Sequence, residues 1–124
     1  MRVVAAALFQ DGRVLAARRR PPHRLGGGWE FPGGKVEPGE DDVAALVREC
    51  REELSVDVAV SGALGSTHAG DLNLVLYSST LIAGEPRPGI DHDELRWLGR
   101  ADLEDARWLP IDRALLTAVR PLLS

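Results

Sequence analysis

Residues 41–54, DDVAALVRECREEL, carry a helical periodicity: Val43, Leu46, Val47, Cys50 and Leu54 recur at three- and four-residue spacing. Glu40, Asp41 and Asp42 stand at its start, where the helix dipole favours anions. The stretches around it read as strands. VVAAALFQ and RVLAA flank Asp11-Gly12, a strong hairpin signal. WEF is a short strand closed by PGG, with KVEPG as loop. SVDVAVSGALGSTHA and LNLVLYSSTL are β-like around the turn Gly70-Asp71, and ELRWL is a further short strand. DRALLTAVRPLL, residues 112–123, predicts a final helix with Asp112 suited to its N-cap. Strands on both sides of one helix, plus a helix at the end, imply an α/β fold: an α/β/α sandwich around a mixed β-sheet.

A chain of 124 residues is expected to make a single domain, residues 1–124, with a core that needs no disulfide or structural metal. An apolar content of 44% argues against disorder. The one cysteine, Cys50, leaves no disulfide framework and no zinc cluster, so a reducing, cytoplasmic setting is the default expectation. MRVVAAALFQ is apolar but short and reads as a strand, not a leader; no apolar run is long enough to span a membrane. Residues 1–36 hold seven Lys/Arg and two Asp/Glu, a balance of +5, while residues 37–124 hold eight and seventeen, a balance of −9. An acidic whole is a poor general binder of nucleic acid. A basic strip beside an acidic one suits a metal-bound polyphosphate, and equally describes two ordinary solvated surfaces.

Glu49, Glu52 and Glu53 are related as i, i+3 and i+4 and share one helix face, away from the apolar stripe. Like charges at that spacing repel by about a few tenths of a kcal/mol per pair, offset in part by Arg48 and Arg51. Two readings fit these residues alone. One is a solvated, salt-bridged helix surface. The other is a site for a hard cation, since clustered carboxylates suit Mg2+ or Mn2+.

The surrounding spacing decides between them. Gly34, Glu40, Arg48, Glu49, Glu52, Glu53 and Val56 stand at fixed intervals over 23 residues. This pattern resembles the Nudix box of the Nudix hydrolases. Cys50 takes an aliphatic slot and Ser55 replaces the final glycine, at a cost of about 1 kcal/mol to the turn that ends the helix. WEFPGGKVEPGE, with VLAARR before it and DHDELRWL after it, resembles the MutT branch, whose members cleave nucleoside triphosphates.

The resemblance implies a divalent cation, Mg2+ or Mn2+, held by Glu52, Glu53 and the Gly33 carbonyl, with Glu49 as a further ligand or general base. Arg48 is implied to orient Glu49, and Glu40 to support the start of the helix. Asp91 falls near the branch's additional acidic ligand, with Asp93 and Glu94 as rivals. Arg19 falls on a phosphate-gripping position, beside Arg18 and Arg20, which otherwise read as loop charges. Phe31 falls on a base-packing position. Asp112 falls where relatives of the branch read the base, a role that does not exclude an N-cap. Trp29 and Trp108 read as core, and His23, His68 and His92 receive no role. The activity implied is cleavage of nucleoside triphosphates to monophosphate and pyrophosphate. Expected substrates are 8-oxo-dGTP or other modified nucleotides, or (d)CTP. Other readings are a different Nudix substrate, such as ADP-ribose or a dinucleoside polyphosphate, and an inactive nucleotide-sensing module. The partner expected is a small-molecule nucleotide bound by a monomer or dimer, with no nucleic acid and no membrane.

Overall fold

The computed structural model describes residues 1–22 and 25–124; His23 lies outside them. Strands β1 (Arg2–Gln10) and β2 (Arg13–Arg19) form the expected hairpin, and Asp11 and Gly12 both take positive φ at its turn. Then come β3 (Trp29–Glu30), β4 (Gly33–Lys35), α1 (Asp42–Leu54), β5 (Asp57–Ala69), β6 (Leu72–Ala83) and β7 (His92–Leu98). The chain closes with two short helices, α2 (Pro110–Arg113) and α3 (Leu116–Val119), and a 3-10 turn at Arg120–Leu122.

The sheet is mixed. β1 pairs in parallel with β6 along most of its length. Its other edge is shared: β4 pairs antiparallel with its start and β2 with its end. β2 in turn carries β7 and β3, and β5 lies antiparallel to β6 at the far edge. Val4 through Leu8 are buried without a break, because both faces of β1 are covered. Val4, Ala6 and Leu8 face Leu46, Cys50 and Leu54 of α1, whereas Ala5 and Ala7 join Trp29, Phe31, Trp108, Leu116 and Val119 on the opposite side. Period-two alternation thus feeds two separate cores, as an α/β/α sandwich requires. No helix among the described residues is long and apolar enough to cross a membrane.

Several local expectations need correction. Residues 33–35, expected as turn and loop, form β4, because their backbone pairs with β1 although glycines carry no strand-like side-chain pattern. β7 starts at His92, two residues earlier than expected. Val43 is 45% exposed, and Ala45 takes its place in the core beside Leu46. The final helix is broken: α2 ends at Arg113, α3 begins at Leu116, and the chain finishes in the 3-10 turn that holds Pro121, which brings no N–H to an α-helical ladder. Asp112 does not cap it: Leu109 stands at the N-cap of α2 with Pro110 just inside, so Asp112 lies within the turn and its side chain reaches elsewhere.

Candidate active site

Helix α1 is held firmly at both ends. The Asp41 carboxylate accepts the Ala44 N–H at 2.8 Å, closing the N-terminus. Asp42 accepts from Arg2 at 2.7 Å and from the Tyr77 hydroxyl at 2.6 Å, tying the first turn to β1 and β6. At the other end Ser55 adopts the left-handed conformation, φ 60° and ψ 37°, and its N–H donates to Arg51 O. The face carrying Glu49 and Glu53 rests on β4. A methyl group on Gly34 would overlap the Glu49 carboxylate, so a larger residue there would push that carboxylate from where it stands. The Gly33 N–H donates to Glu53 Oε2 at 3.2 Å.

Arg48 organises the acids. Its Nε and Nη2 donate to the two Glu40 oxygens at 2.7 and 2.9 Å, the fork geometry a carboxylate favours. Its Nη1 donates to Glu49 at 2.8 Å and to Glu52 at 3.2 Å. Beside Arg48, the Glu40 carboxyl is held down at about 2. Glu49 moves the other way: burial raises its pKa, against the pull of Arg48. Glu53 is pushed to about 8, first by burial and then by the neighbouring charges of Glu30 and Glu49. Glu40, Glu49 and Glu53 therefore occupy different environments, although all belong to one motif.

Glu49, Glu52 and Glu53 line a cavity of 140 Å3 together with Gly89, Ile90, Asp91 and His92. Asp91 arrives there on the segment between β6 and β7, whose Arg87 N–H donates to Leu54 O at the end of α1. The rivals for its position are engaged elsewhere. Asp93 is the extra residue of a bulge where β7 pairs with β2, and Arg18 Nε donates to it at 2.8 Å. Glu94 is paired with Arg18 at 3.3 Å and Arg96 at 2.8 Å. Among the described residues no three His, Cys, Asp or Glu side chains close into a metal-ligand set as they stand. Arg48 bridges Glu49 and Glu52, and Glu53 is turned to the Gly33 N–H.

A second cavity, of 240 Å3, adjoins β4 and is lined by Arg19, Glu30, Phe31, Gly33, Lys35 and Asp112, among others. Phe31 is buried against Trp108, ring centroids 4.7 Å apart, and its backbone N–H donates to Asp112 Oδ1 at 3.1 Å. Asp112 is only 3% exposed, and burial pushes its carboxyl up to about 7. Arg19 Nε approaches Glu30 Oε2 at 2.9 Å, without hydrogen-bond alignment. Trp29 and Trp108 are core, as expected.

The sequence reading missed two residues, Glu30 and His92. His92 is fully buried, and its Nε2 lies 2.7 Å from Glu30 Oε2; with the proton on Nε2 it donates to that carboxylate. An acid between Trp29 and Phe31 in a short strand was the available signal for Glu30. Nothing local marks His92, which meets Glu30 only because β2 pairs with both β3 and β7.

One cavity is thus lined by carboxylates and another by an aromatic, two acids and two cations, and Gly33 of β4, which lines the second, donates its N–H to Glu53 of the first. A family model for the NUDIX domain matches residues 1–122, and the chain belongs to that family of hydrolases. It is 45% identical over 116 residues to a Mycobacterium tuberculosis H37Rv protein provisionally named 8-oxo-dGTP diphosphatase 2, covering 90% of this chain and 82% of that one. It is 47% identical over 129 residues to the CTP pyrophosphohydrolase of Escherichia coli K12, covering 97% and 91%. Among solved structures, MutT from a study of Aliivibrio salmonicida and Vibrio cholerae superposes with a TM-score of 0.81 at 26% identity, covering 97% of this chain and 95% of that one.

Proposed function

We propose that this Nudix hydrolase cleaves nucleoside triphosphates to monophosphate and pyrophosphate in a divalent-cation-dependent reaction, with 8-oxo-dGTP or (d)CTP as substrate. The observation that carries the reading is the meeting of Glu49, Glu52, Glu53 and Asp91 on one cavity, beside a second cavity that holds Phe31 and Asp112. The donor chemistry fits a hard cation: four carboxylates line the same cavity, and burial raises the Glu53 pKa, disfavouring its charged form. Glu52, Glu53, Asp91 and the Gly33 carbonyl would hold the ion, Mg2+ or Mn2+, with Glu49 beside them. When bound, such an ion neutralises triphosphate charge and eases deprotonation of the attacking water.

The protein's own groups then divide the work. Glu49, oriented by Arg48 and set against Gly34, accepts the water's proton. Arg19 and Lys35 line the second cavity on the side of β4 and offset phosphate charge. Phe31 packs against the base. Asp112, already holding the Phe31 N–H with one oxygen, presents its other oxygen to the base edge. Relatives of both names are similar over most of this chain, which supports either base. A panel of nucleoside triphosphates, including 8-oxo-dGTP, dCTP and CTP, assayed for pyrophosphate release with Mg2+ decides the substrate. Release from none of them, with monophosphate formed from ADP-ribose instead, would overturn the proposal.

A further inference from the structure

The segment that carries Asp91 has little apolar anchorage. Ile90 is 88% exposed and Asp91 is exposed as well. Past the bulge at Asp93, the β2–β7 ladder ends at the Arg19–His92 pair. What fixes the segment is a set of polar ties, and Arg20 makes three of them. Its backbone N–H donates to Asp91 O at 2.9 Å. Its guanidinium straddles the same residue: Nε donates to Ile90 O at 3.2 Å and Nη2 to His92 O at 3.0 Å. Three consecutive carbonyls, centred on Asp91, are held by one arginine. On the inner side Gly89 lies so close to the Glu53 backbone that a methyl group there would strike Glu53 O. The segment is therefore pressed on α1 from within and clamped by Arg20 from without.

We infer that Arg20 is a positioning residue that acts through Asp91: it sets the Asp91 carboxylate over the cavity shared with Glu49, Glu52 and Glu53, and so sets the affinity for the cation. This rests on the reading of Asp91 as a cation ligand. Charge alone predicts the opposite sign. Removing a cation beside an acidic cavity lets the cavity attract Mn2+ more strongly, whereas releasing a clamp weakens binding. Partners that orient a ligand are typically worth about 10-fold or more in affinity.

The test is direct Mn2+ binding, by electron paramagnetic resonance of the free ion, to the native protein and to Arg20→Ala, Arg20→Lys, Asp91→Asn and the Arg20→Ala/Asp91→Asn double variant. Melting in excess chelator checks that each variant is folded. Arg20→Ala should raise the Mn2+ Kd about 10-fold. Arg20→Lys, which keeps the charge but cannot reach two carbonyls, should weaken binding in the same direction. The double variant should bind no more weakly than Asp91→Asn alone, since a clamp has nothing left to position. If Asp91→Asn weakens binding and Arg20→Ala leaves it unchanged or tighter, the role of Arg20 is overturned and that of Asp91 stands. Additive losses in the double variant overturn it too, because Arg20 would then act independently. If Asp91→Asn itself binds Mn2+ like the native protein, the reading of Asp91 fails first.

Discussion

Glu53 joins stability to chemistry in one side chain. Its carboxyl sits near 8 in the folded protein because it is largely buried beside Glu30 and Glu49, against about 4.3 for a free glutamate. The folded state thus binds this proton more tightly than the unfolded chain. The stability it contributes is full at pH 4 and below and is lost as pH rises through 8. Glutamine keeps the shape and can still accept the Gly33 N–H, yet has no proton to lose. In chelator, Glu53→Gln should melt above the native protein at pH 8.5 and close to it at pH 4, while nucleotide hydrolysis falls about 100-fold. Equal melting at both pH values would show that burial does not tax this group. Asp112 permits a second substitution. Since Leu109 holds the cap position, Asp112→Asn cannot act through helix capping, and its amide oxygen can still accept the Phe31 N–H. If Asp112 reads the base, the ratio of kcat/KM for 8-oxo-dGTP over dCTP should change in the variant, toward 8-oxo-dGTP as the amide adds a donor; an unchanged ratio removes Asp112 from base selection. Glu49, Glu52 and Glu53 could be picked out because a helix turns spacing into a shared face. The Glu30–His92 pair could not, because 62 residues separate its members and only sheet pairing brings them within 2.7 Å.

Helix α1 was legible almost to the residue, since its apolar period and the acids at its start point to nearly the boundaries it takes, Asp42–Leu54. β4 was not, because its pairing uses only backbone and its glycines exist to admit Glu49 and the main chain of β1. The closing segment misled for another reason: its apolar residues keep a helical rhythm although the backbone runs as two short helices and a 3-10 turn that holds Pro121. The end of α1 yields a prediction at this scale. Ser55 holds φ 60°, a conformation that costs a non-glycine residue ~1 kcal/mol. Its backbone N–H makes the bond that closes the helix, and glycine keeps that bond. Ser55→Gly should therefore raise stability by ~1 kcal/mol in denaturant titration and leave kcat/KM unchanged. A loss of stability would mean that the serine side chain gains more than its backbone strain costs.

Taken whole, the molecule gathers Glu49, Glu52, Glu53 and Asp91 on one cavity and sets Arg19 and Lys35 beside Glu30 and Asp112 on another, so the first is strongly acidic and the second is mixed. A cavity lined by Glu49, Glu52, Glu53 and Asp91 repels itself when every member is ionised; burial first, and then neighbouring carboxylates, raise the pKa values of Glu49 and Glu53. A divalent cation reverses the balance: it binds the ionised carboxylates, so below pH 8 it must displace the Glu53 proton first. Apparent affinity should then fall by up to about 10-fold per pH unit for that one proton as the solution is acidified from 8. Because an ion that binds only the folded state stabilises it by mass action, the whole-protein melting temperature reports this directly. Millimolar Mg2+ should raise Tm more at pH 8.5 than at pH 6.5, and the difference should shrink in Glu53→Gln, which has no proton to displace. Hydrolysis should show the same alkaline preference and should vanish in excess chelator. If Mg2+ lifted Tm equally at both pH values in the native protein, Glu53 would not be the group whose proton the cation replaces. If it lifted Tm at neither, while hydrolysis persisted in chelator, the carboxylate cavity would not be a cation site.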